Sequence, residues 1–497
     1  MLCDFMLEKS KEYLLKNISL DADTLEFLTH SKNYLSTNFI VKLLSLISIP
    51  IYTRLLLPES YGLISIFTSV VTILIILLTI SVKGGIFRYF FENKKDFPDF
   101  LGTNLIFLAL FSSFISVLVW LFGETISGFF KLPQDLLLIA VIVSIGMTFF
   151  GIYGILLQAK KESKEYSKIT IIQAVLQMVL SIIWVYLLIS DKHMGVIYAT
   201  LLVWLAFFAY SLFKLSKQSK FVLKKSYLWY SMVFGLPLLP HAFGGYILTY
   251  FDRVIIGQLT NMAEVGLYSF AYNVGLIMTI IIASISSAWS PMFFEQMNKK
   301  NYAKIEDITK KYAKIVFIIA LILVLFSREI ITVLADIKYH AALEIIPIII
   351  LSYVFAFLYG IYLMYSEYRK KTWLISIATI IAAMVNIWLN YLLIPIYGYK
   401  IAAYTTFISY VLLFLLHYLT VKVILKENAI RLKVFIPGLV ALFILSMLFL
   451  TVEKIADNFI ILLLVKFLIL AIMALVLFKK LREKFFNQIS LMRKRLN

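Results

Sequence analysis

The chain has 497 residues, 62% of them hydrophobic and only 15% charged, with a mean hydropathy of +0.92. Soluble domains sit near 45–50% apolar and about 25% charged, so a water-soluble enzyme of this size is excluded. Lys and Arg number 47 against 28 Asp and Glu, a net charge of +19. The basic residues fall between apolar runs, which points to a membrane surface and not to nucleic acid. One cysteine, Cys3, leaves no disulfide framework and no cysteine-based metal cluster.

In chain order, residues 1–33 are mixed in charge and lack the apolar core of a signal peptide. They read as a cytoplasmic segment, either a short helix or an over-long gene start. Fourteen apolar segments follow, at about 34–54, 61–82, 100–122, 136–158, 169–190, 194–213, 229–251, 265–289, 313–334, 342–365, 373–394, 400–420, 434–452 and 458–478. Most match the ~20 residues that a helix needs to cross the hydrocarbon. Their polarity does not alternate as in barrel strands. The expected fold is all-α, a polytopic membrane protein of about fourteen transmembrane helices. Connections after even-numbered segments, with the C-terminal tail, carry 33 Lys and Arg, and those after odd-numbered segments carry 8. The positive-inside rule then puts both termini in the cytoplasm. The tail, 479–497, reads as a basic amphipathic helix on anionic lipid or as a plain stop-transfer tail.

The chain resembles itself at an offset near 205. Gly62 and Gly266 each open a segment and are followed by Phe91-Glu92 and Phe294-Glu295 after 30 and 29 residues, counted to the Glu. Tyr186-Leu187-Leu188-Ile189 matches Tyr391-Leu392-Leu393-Ile394, Gly154 matches Gly360, and Gly195 matches Gly398. Two copies of a six-helix unit are expected, a first lobe at 34–213 and a second at 229–424. A basic linker, 214–228, joins them, and helices 13–14 are appended at 425–478. Six is even, so both copies enter the bilayer the same way, a parallel repeat typical of transporters with a path between the halves.

Further motifs follow the repeat. They are Pro50-Ile51-Tyr52-Thr53-Arg54 with Pro58-Glu59-Ser60-Tyr61-Gly62, Arg88 to Glu92, Gly235-Leu236-Pro237, Asp252-Arg253 with Gly257, and Glu264 to Tyr272. The last is Asn386, Asn390, Ile394-Pro395, Gly398, Ala402-Ala403 and Thr406. In order and spacing the chain resembles the polysaccharide/O-antigen flippases of the multidrug/oligosaccharidyl-lipid/polysaccharide exporter superfamily. The resemblance implies that a polyprenyl-diphosphate-linked oligosaccharide is moved from the cytoplasmic to the outer leaflet of the cell membrane, for surface polysaccharide synthesis. Membrane lipids are then partners, with polysaccharide polymerase machinery as a further one. A cation-coupled exporter of small molecules or a lipid-II-type flippase is the alternative. A membrane glycosyltransferase or polymerase ranks below both. Its only D-x-D, Asp21-Ala22-Asp23, stands outside any domain, and no H-E-x-x-H is present. No cofactor, metal or ATP is expected, since the chain lacks a G-x-x-x-x-G-K-[ST] loop.

An anionic headgroup calls for a cationic cavity. Arg54 and Arg253 close equivalent spans, and guanidinium forks suit phosphate; their alternative is interfacial anchoring. Lys42 and Lys83 either receive the headgroup or snorkel to the interface. Lys466 lies deep in the fourteenth segment, where an unpaired charge costs about 2.5–3.5 kcal/mol, so it requires a groove, water or a partner. Asp252 is a candidate coupling group or structural partner of a cation. Asn386 with Asn390, and Gln173 with Gln177, share helix faces at i, i+4. They face either sugar hydroxyls or a neighbouring helix. His241 reads as packing. Pro50, Pro237, Pro240 and Pro347 interrupt helices and mark hinges or static kinks.

Overall fold

A computed structural model describes residues 22–79, 82–428, 430–455, 460 and 462–471. Cys3, Asp21 and the basic tail 479–497 lie outside the described residues, as do parts of the N-terminal segment and of 458–478. The described residues are helical throughout, with no strand among them. Among the described residues, eleven helices are long and apolar enough to cross a membrane, or twelve if one bent pair counts as a span.

The first half comprises α1 (Ala22–Leu55), α2 (Pro58–Thr79), α3 (Lys83–Glu92), α4 (Phe97–Leu121), α5 (Gly123–Phe130), α6 (Gln134–Ala159), α7 (Ser163–Leu187) and α8 (Lys192–Ser216). The expected seventh span is broken. It runs as α9 (Lys225–Gly235), a 3₁₀ turn at Leu236–Leu238, α10 (Leu239–Tyr246), a π-helical turn at Ile247–Phe251, and α11 (Asp252–Leu259). Pro237 and Pro240 remove two backbone donors within four residues, which leaves no uninterrupted α-helix here. Then come α12 (Met262–Asn298), α13 (Tyr302–Leu325), α14 (Ser327–Leu334), α15 (Ile346–Tyr368), α16 (Thr372–Tyr397), α17 (Ile401–Leu419) and α18 (Ile436–Ile455). The apolar helix α19 covers Leu462–Ala471. Helices α13 and α14 bend by 64° at Phe326, the counterpart of the single-residue break between α4 and α5.

Helix pairing repeats between the halves. In the first, α1 packs on α7, α2 on α6, and α8 on both α6 and α7. In the second, α10 packs on α16, and α17 on both α15 and α16, while Gly275 of α12 lies against Ile349 and Tyr353 of α15. The copies also meet at equivalent residues. A Cβ on Gly62 would fall 2.0 Å from the Met262 carbonyl oxygen, and one on Gly266 would fall 1.8 Å from that of Pro58. One turn further in, Ser269 Oγ donates to Ser65 Oγ at 2.7 Å, across a separation of 204 residues. Residues that contact their own repeat equivalents define an isologous contact, which requires a two-fold axis between α2 and α12.

The chain divides into two compact units, residues 1–295 with 330–429, and residues 296–329 with 430–497. The first repeat belongs wholly to the first, and so does the second apart from residues 296–329, which carry α13. In the first unit the linker before α9 is zipped onto α4. Lys220 N–H donates to the Pro98 carbonyl at 2.8 Å, Thr103 donates to the Val222 carbonyl, and Ser231 donates to Asn104 at 2.7 Å. Lys224 pairs with Asp99 at 3.0 Å, and that hydrogen bond holds the lysine ammonium above its usual range. The motif residue Glu92 is structural in the same way: it accepts from Arg88 and, at 2.6 Å, from Tyr230 of α9. In the second unit α13 packs on α18, with Gly438 against the Phe317 ring.

Candidate functional site

Within the first unit, α1, α2, α8, α12 and the broken seventh span enclose a cavity of about 320 Å³. Its polar lining is set by spacing. Lys42, Ser45, Ser48 and Tyr52 recur on one face of α1, and Tyr61, Ser65 and Thr68 on one face of α2. Asn273 and Thr279 come from α12, and Tyr250 and Arg253 from the π turn and α11. Asn273 Nδ2 donates to the Tyr61 hydroxyl at 2.6 Å, which ties the two repeats together at the cavity wall. Lys42 Nζ reaches Thr279 Oγ1 at 3.4 Å.

Arg253 is only 5% exposed. Its guanidinium carbon lies 4.8 Å from the Tyr272 ring centre, 5.3 Å from Tyr250 and 6.0 Å from Tyr268, and one of its nitrogens donates to the Thr249 carbonyl. Cation–π contact is worth about 2 kcal/mol when desolvated, so aromatic faces offset much of the cost of placing this charge among helices. Three aromatic rings and a carbonyl fix the fork beside the cavity.

Asp252, the preceding residue, points about 100° away and enters the core of the second half. It is fully buried. Tyr268 and Thr406 each donate to Oδ2 at 2.6 Å, and Asn390 donates to Oδ1 at 2.7 Å. Asn390 also reaches Asn386 Oδ1 at 3.3 Å, and its own Oδ1 accepts from Thr405. The i, i+4 asparagines therefore face Asp252 and α17, not the cavity. Buried polar groups require partners, and here three helices, α12, α16 and α17, supply them to a single carboxylate.

The structure separates the remaining candidates. Arg54 is exposed at the end of α1, where it donates to the Pro50 carbonyl at 2.8 Å and the Val333 carbonyl at 3.3 Å. Lys83 begins α3 with its Nζ 3.1 Å from where a Gly151 Cβ would stand. Lys466, in the second unit, is 1% exposed and salt-bridged to both Glu329 oxygens at 2.5 and 2.7 Å, with the Phe326 and Phe449 rings over it. Gln177 joins α7 to α8 through Thr200 at 2.9 Å, and Gln173 is half-buried one turn before it. Arg253 and Lys42 thus share one cavity. Sequence reasoning did not single out Tyr52, Tyr61, Asn273 or Thr279. The polar stripe Ser45, Ser48, Tyr52 beyond Lys42 was the available signal.

A family model described as polysaccharide biosynthesis protein matches residues 32–297, and a second, MatE, matches residues 237–392. A Haemophilus influenzae protein described as Lsg locus putative protein 1 is 23% identical over 366 residues, 71% of this chain and 88% of that one. Among solved structures, the lipid II flippase MurJ in an inward closed conformation superposes with a TM-score of 0.72 at 17% identity, over 90% of this chain and 99% of that one. An inward-facing multidrug resistance MATE family transporter gives 0.64 at 15% identity, over 78% of this chain and 96% of that one. These two likenesses are likenesses of fold, and the matched span exceeds half of the sequence. The chain belongs to the polysaccharide biosynthesis protein family and is a multi-pass membrane protein.

Proposed function

We propose that the protein flips a polyprenyl-diphosphate-linked oligosaccharide from the cytoplasmic to the outer leaflet by alternating access between its two repeats. The observation that carries this reading is an inter-repeat cavity, largely apolar but crossed by a stripe of polar side chains, that holds two cations, Arg253 and Lys42. Each sugar hydroxyl stripped of water costs about 4–8 kcal/mol against hydrocarbon. A cavity lined by Ser45, Ser48, Tyr61, Ser65, Thr68, Asn273 and Thr279 replaces those hydrogen bonds. Arg253 and Lys42 meet the diphosphate, and the polyprenyl tail stays in lipid.

Anions leaving a negative interior are driven outward, at about 2.3 kcal/mol per charge per 100 mV. Asp252 is the coupling group in this reading. Its carboxylate is shared among three donors from α12, α16 and α17, so exchange of a proton or counter-ion there is felt by all of those helices. Both termini are cytoplasmic in the plasma membrane. The test is flipping of a fluorescent polyprenyl-diphosphate oligosaccharide in sealed proteoliposomes. Outward flipping faster than in protein-free vesicles, and slowed when the potential is collapsed, supports the reading. Flipping absent while a cationic drug is exported would replace it with the cation-coupled exporter.

A further inference from the structure

Helix α1 ends at Leu55 and helix α14 at Leu334, and each end leaves backbone carbonyls that its own helix does not satisfy. Within the first unit the two ends supply one another. Thr53 Oγ1 donates to the Leu334 carbonyl at 3.0 Å, sharing its proton with the Pro50 carbonyl at 3.2 Å, and Arg54 donates to the Val333 carbonyl at 3.3 Å. In return Lys338 Nζ donates to the Arg54 carbonyl at 3.3 Å, and the Tyr339 hydroxyl donates to the Leu56 carbonyl at 3.1 Å. Lys338 and Tyr339 belong to a 3₁₀ helix, Ile337–Glu344, whose start is fixed by Asp336 accepting from the Lys338 N–H at 3.3 Å. Cationic side chains suit the carbonyls of a helix C-terminus. Arg54 is exposed, so the junction rests on Thr53 and Tyr339, both fully buried.

This junction lies at one end of the cavity. Leu56 and Tyr61 are cavity-lining residues, and Tyr339 touches both. Its ring meets the Tyr61 ring edge-on at 5.8 Å and lies 5.4 Å from the Phe270 ring of α12. Tyr61 accepts in turn from Asn273, and the next residue, Gly62, is where the backbones of α2 and α12 touch. A side chain from the segment before α15 is therefore wedged between a helix of each repeat. From here the lining runs away along α1 to Lys42, along α2 to Thr68 and along α12 to Ile280.

We propose that Tyr339 is the stopper of this cavity: wedged against Leu56, Tyr61 and Phe270, it closes the cavity to water and solutes at the Arg54 end. The ring fills the gap between the repeats, since close-packed interiors leave no space for water, and the hydroxyl fixes its depth through the Leu56 carbonyl. The closure belongs to the structure as it stands and is read without substrate. Its bearing on transport, that a headgroup meets this conformation from the Lys42 end, rests on the flippase reading.

The test is labelling of single cysteines by a charged, membrane-impermeant maleimide, in right-side-out and inside-out membrane vesicles holding the full chain. Cys3, the one native cysteine, is replaced by serine. Glu59→Cys, exposed beside the junction, marks the face on which the Arg54 end lies, whichever that is. Thr68→Cys reports from the cavity two turns further along α2 than Tyr61, where the threonine hydroxyl bonds within its own helix. With Tyr339 intact, Thr68→Cys should react at least tenfold more slowly from the marked face than from the opposite one. Tyr339→Ala should raise the rate from the marked face at least tenfold, whereas Tyr339→Phe keeps the ring and should leave it slow. Tyr339→Leu, which removes less volume, takes the place of Tyr339→Ala if that variant does not fold, with a rise of at least threefold. Equal rates from the two faces with Tyr339 intact overturn the proposal without any change at the stopper. A folded Tyr339→Ala or Tyr339→Leu in which labelling stays slow overturns it too, as does Tyr339→Phe labelling as fast as either. A protein that meets these expectations and flips nothing would refute the flippase reading and leave the stopper standing.

Discussion

Replacing Gly266 with alanine places a methyl carbon 1.8 Å from the Pro58 carbonyl oxygen, and Gly62→Ala places one 2.0 Å from that of Met262. Ordinary contact begins near 3.4 Å, so α2 and α12 must separate by about 1.5 Å where the repeats touch. Overpacking of this kind costs about 1–3 kcal/mol, against which alanine recovers up to about 1 kcal/mol of helix propensity. Gly84, in α3, has nothing within 4 Å of its would-be Cβ, so Gly84→Ala gains the propensity without the clash. Reversible unfolding in detergent should place Gly266→Ala about 2 kcal/mol below Gly84→Ala. The double variant should lose less than the sum of the singles, since both methyl groups push apart one crossing. Equal stability of Gly266→Ala and Gly84→Ala, or strict additivity, would refute the isologous crossing.

Three further outcomes follow from the geometry. Asp252→Ala strands three buried donors, Tyr268, Asn390 and Thr406, and should cost about 3 kcal/mol in the same unfolding assay, at ~1 kcal/mol or more for each unsatisfied group. Lys466→Met alone and Glu329→Gln alone should each destabilise, the glutamine variant by about 3 kcal/mol because it leaves a buried ammonium. The double change should recover most of that loss; equal losses in the single and double variants would deny the pairing. Tyr61→Phe removes the acceptor of Asn273 at the cavity wall. It should weaken the fold by about 1 kcal/mol and change the flipping rate of substrates that differ in the sugar next to the diphosphate by unequal factors.

Much of the architecture was legible because the bilayer imposes one helix length on every span. The seventh span was the exception. Its apolar composition is continuous, but Pro237 and Pro240 deny it a continuous hydrogen-bond ladder, and the π turn before Asp252 shifts its register in a way no hydropathy window registers. The repeat was legible from Gly62 and Gly266, although their mutual contact was not, because an offset equates positions without bringing them together. At the candidate site, sequence located charges by depth but not by direction. Arg54 lies at a helix end and satisfies carbonyls, whereas Arg253 lies six residues before the end of α11 and is boxed by tyrosines from α12. The i, i+4 spacing of Asn386 and Asn390 fixed a shared face, and only packing chose Asp252 over the cavity. Lys466 demanded a partner, but Glu329 stands 137 residues earlier, beyond any local pattern.

On the proposed function, Arg253 and Lys42 line the route of a lipid diphosphate. The most direct measurement is the initial rate of potential-driven flipping of a polyprenyl-diphosphate oligosaccharide in proteoliposomes. It compares wild type with Arg253→Ala/Lys42→Ala and with Arg54→Ala, each at matched amounts of folded protein. The double variant should fall at least tenfold while Arg54→Ala stays within twofold of wild type, a tenfold loss corresponding to about 1.4 kcal/mol. Wild-type rates in the folded double variant would contradict the account.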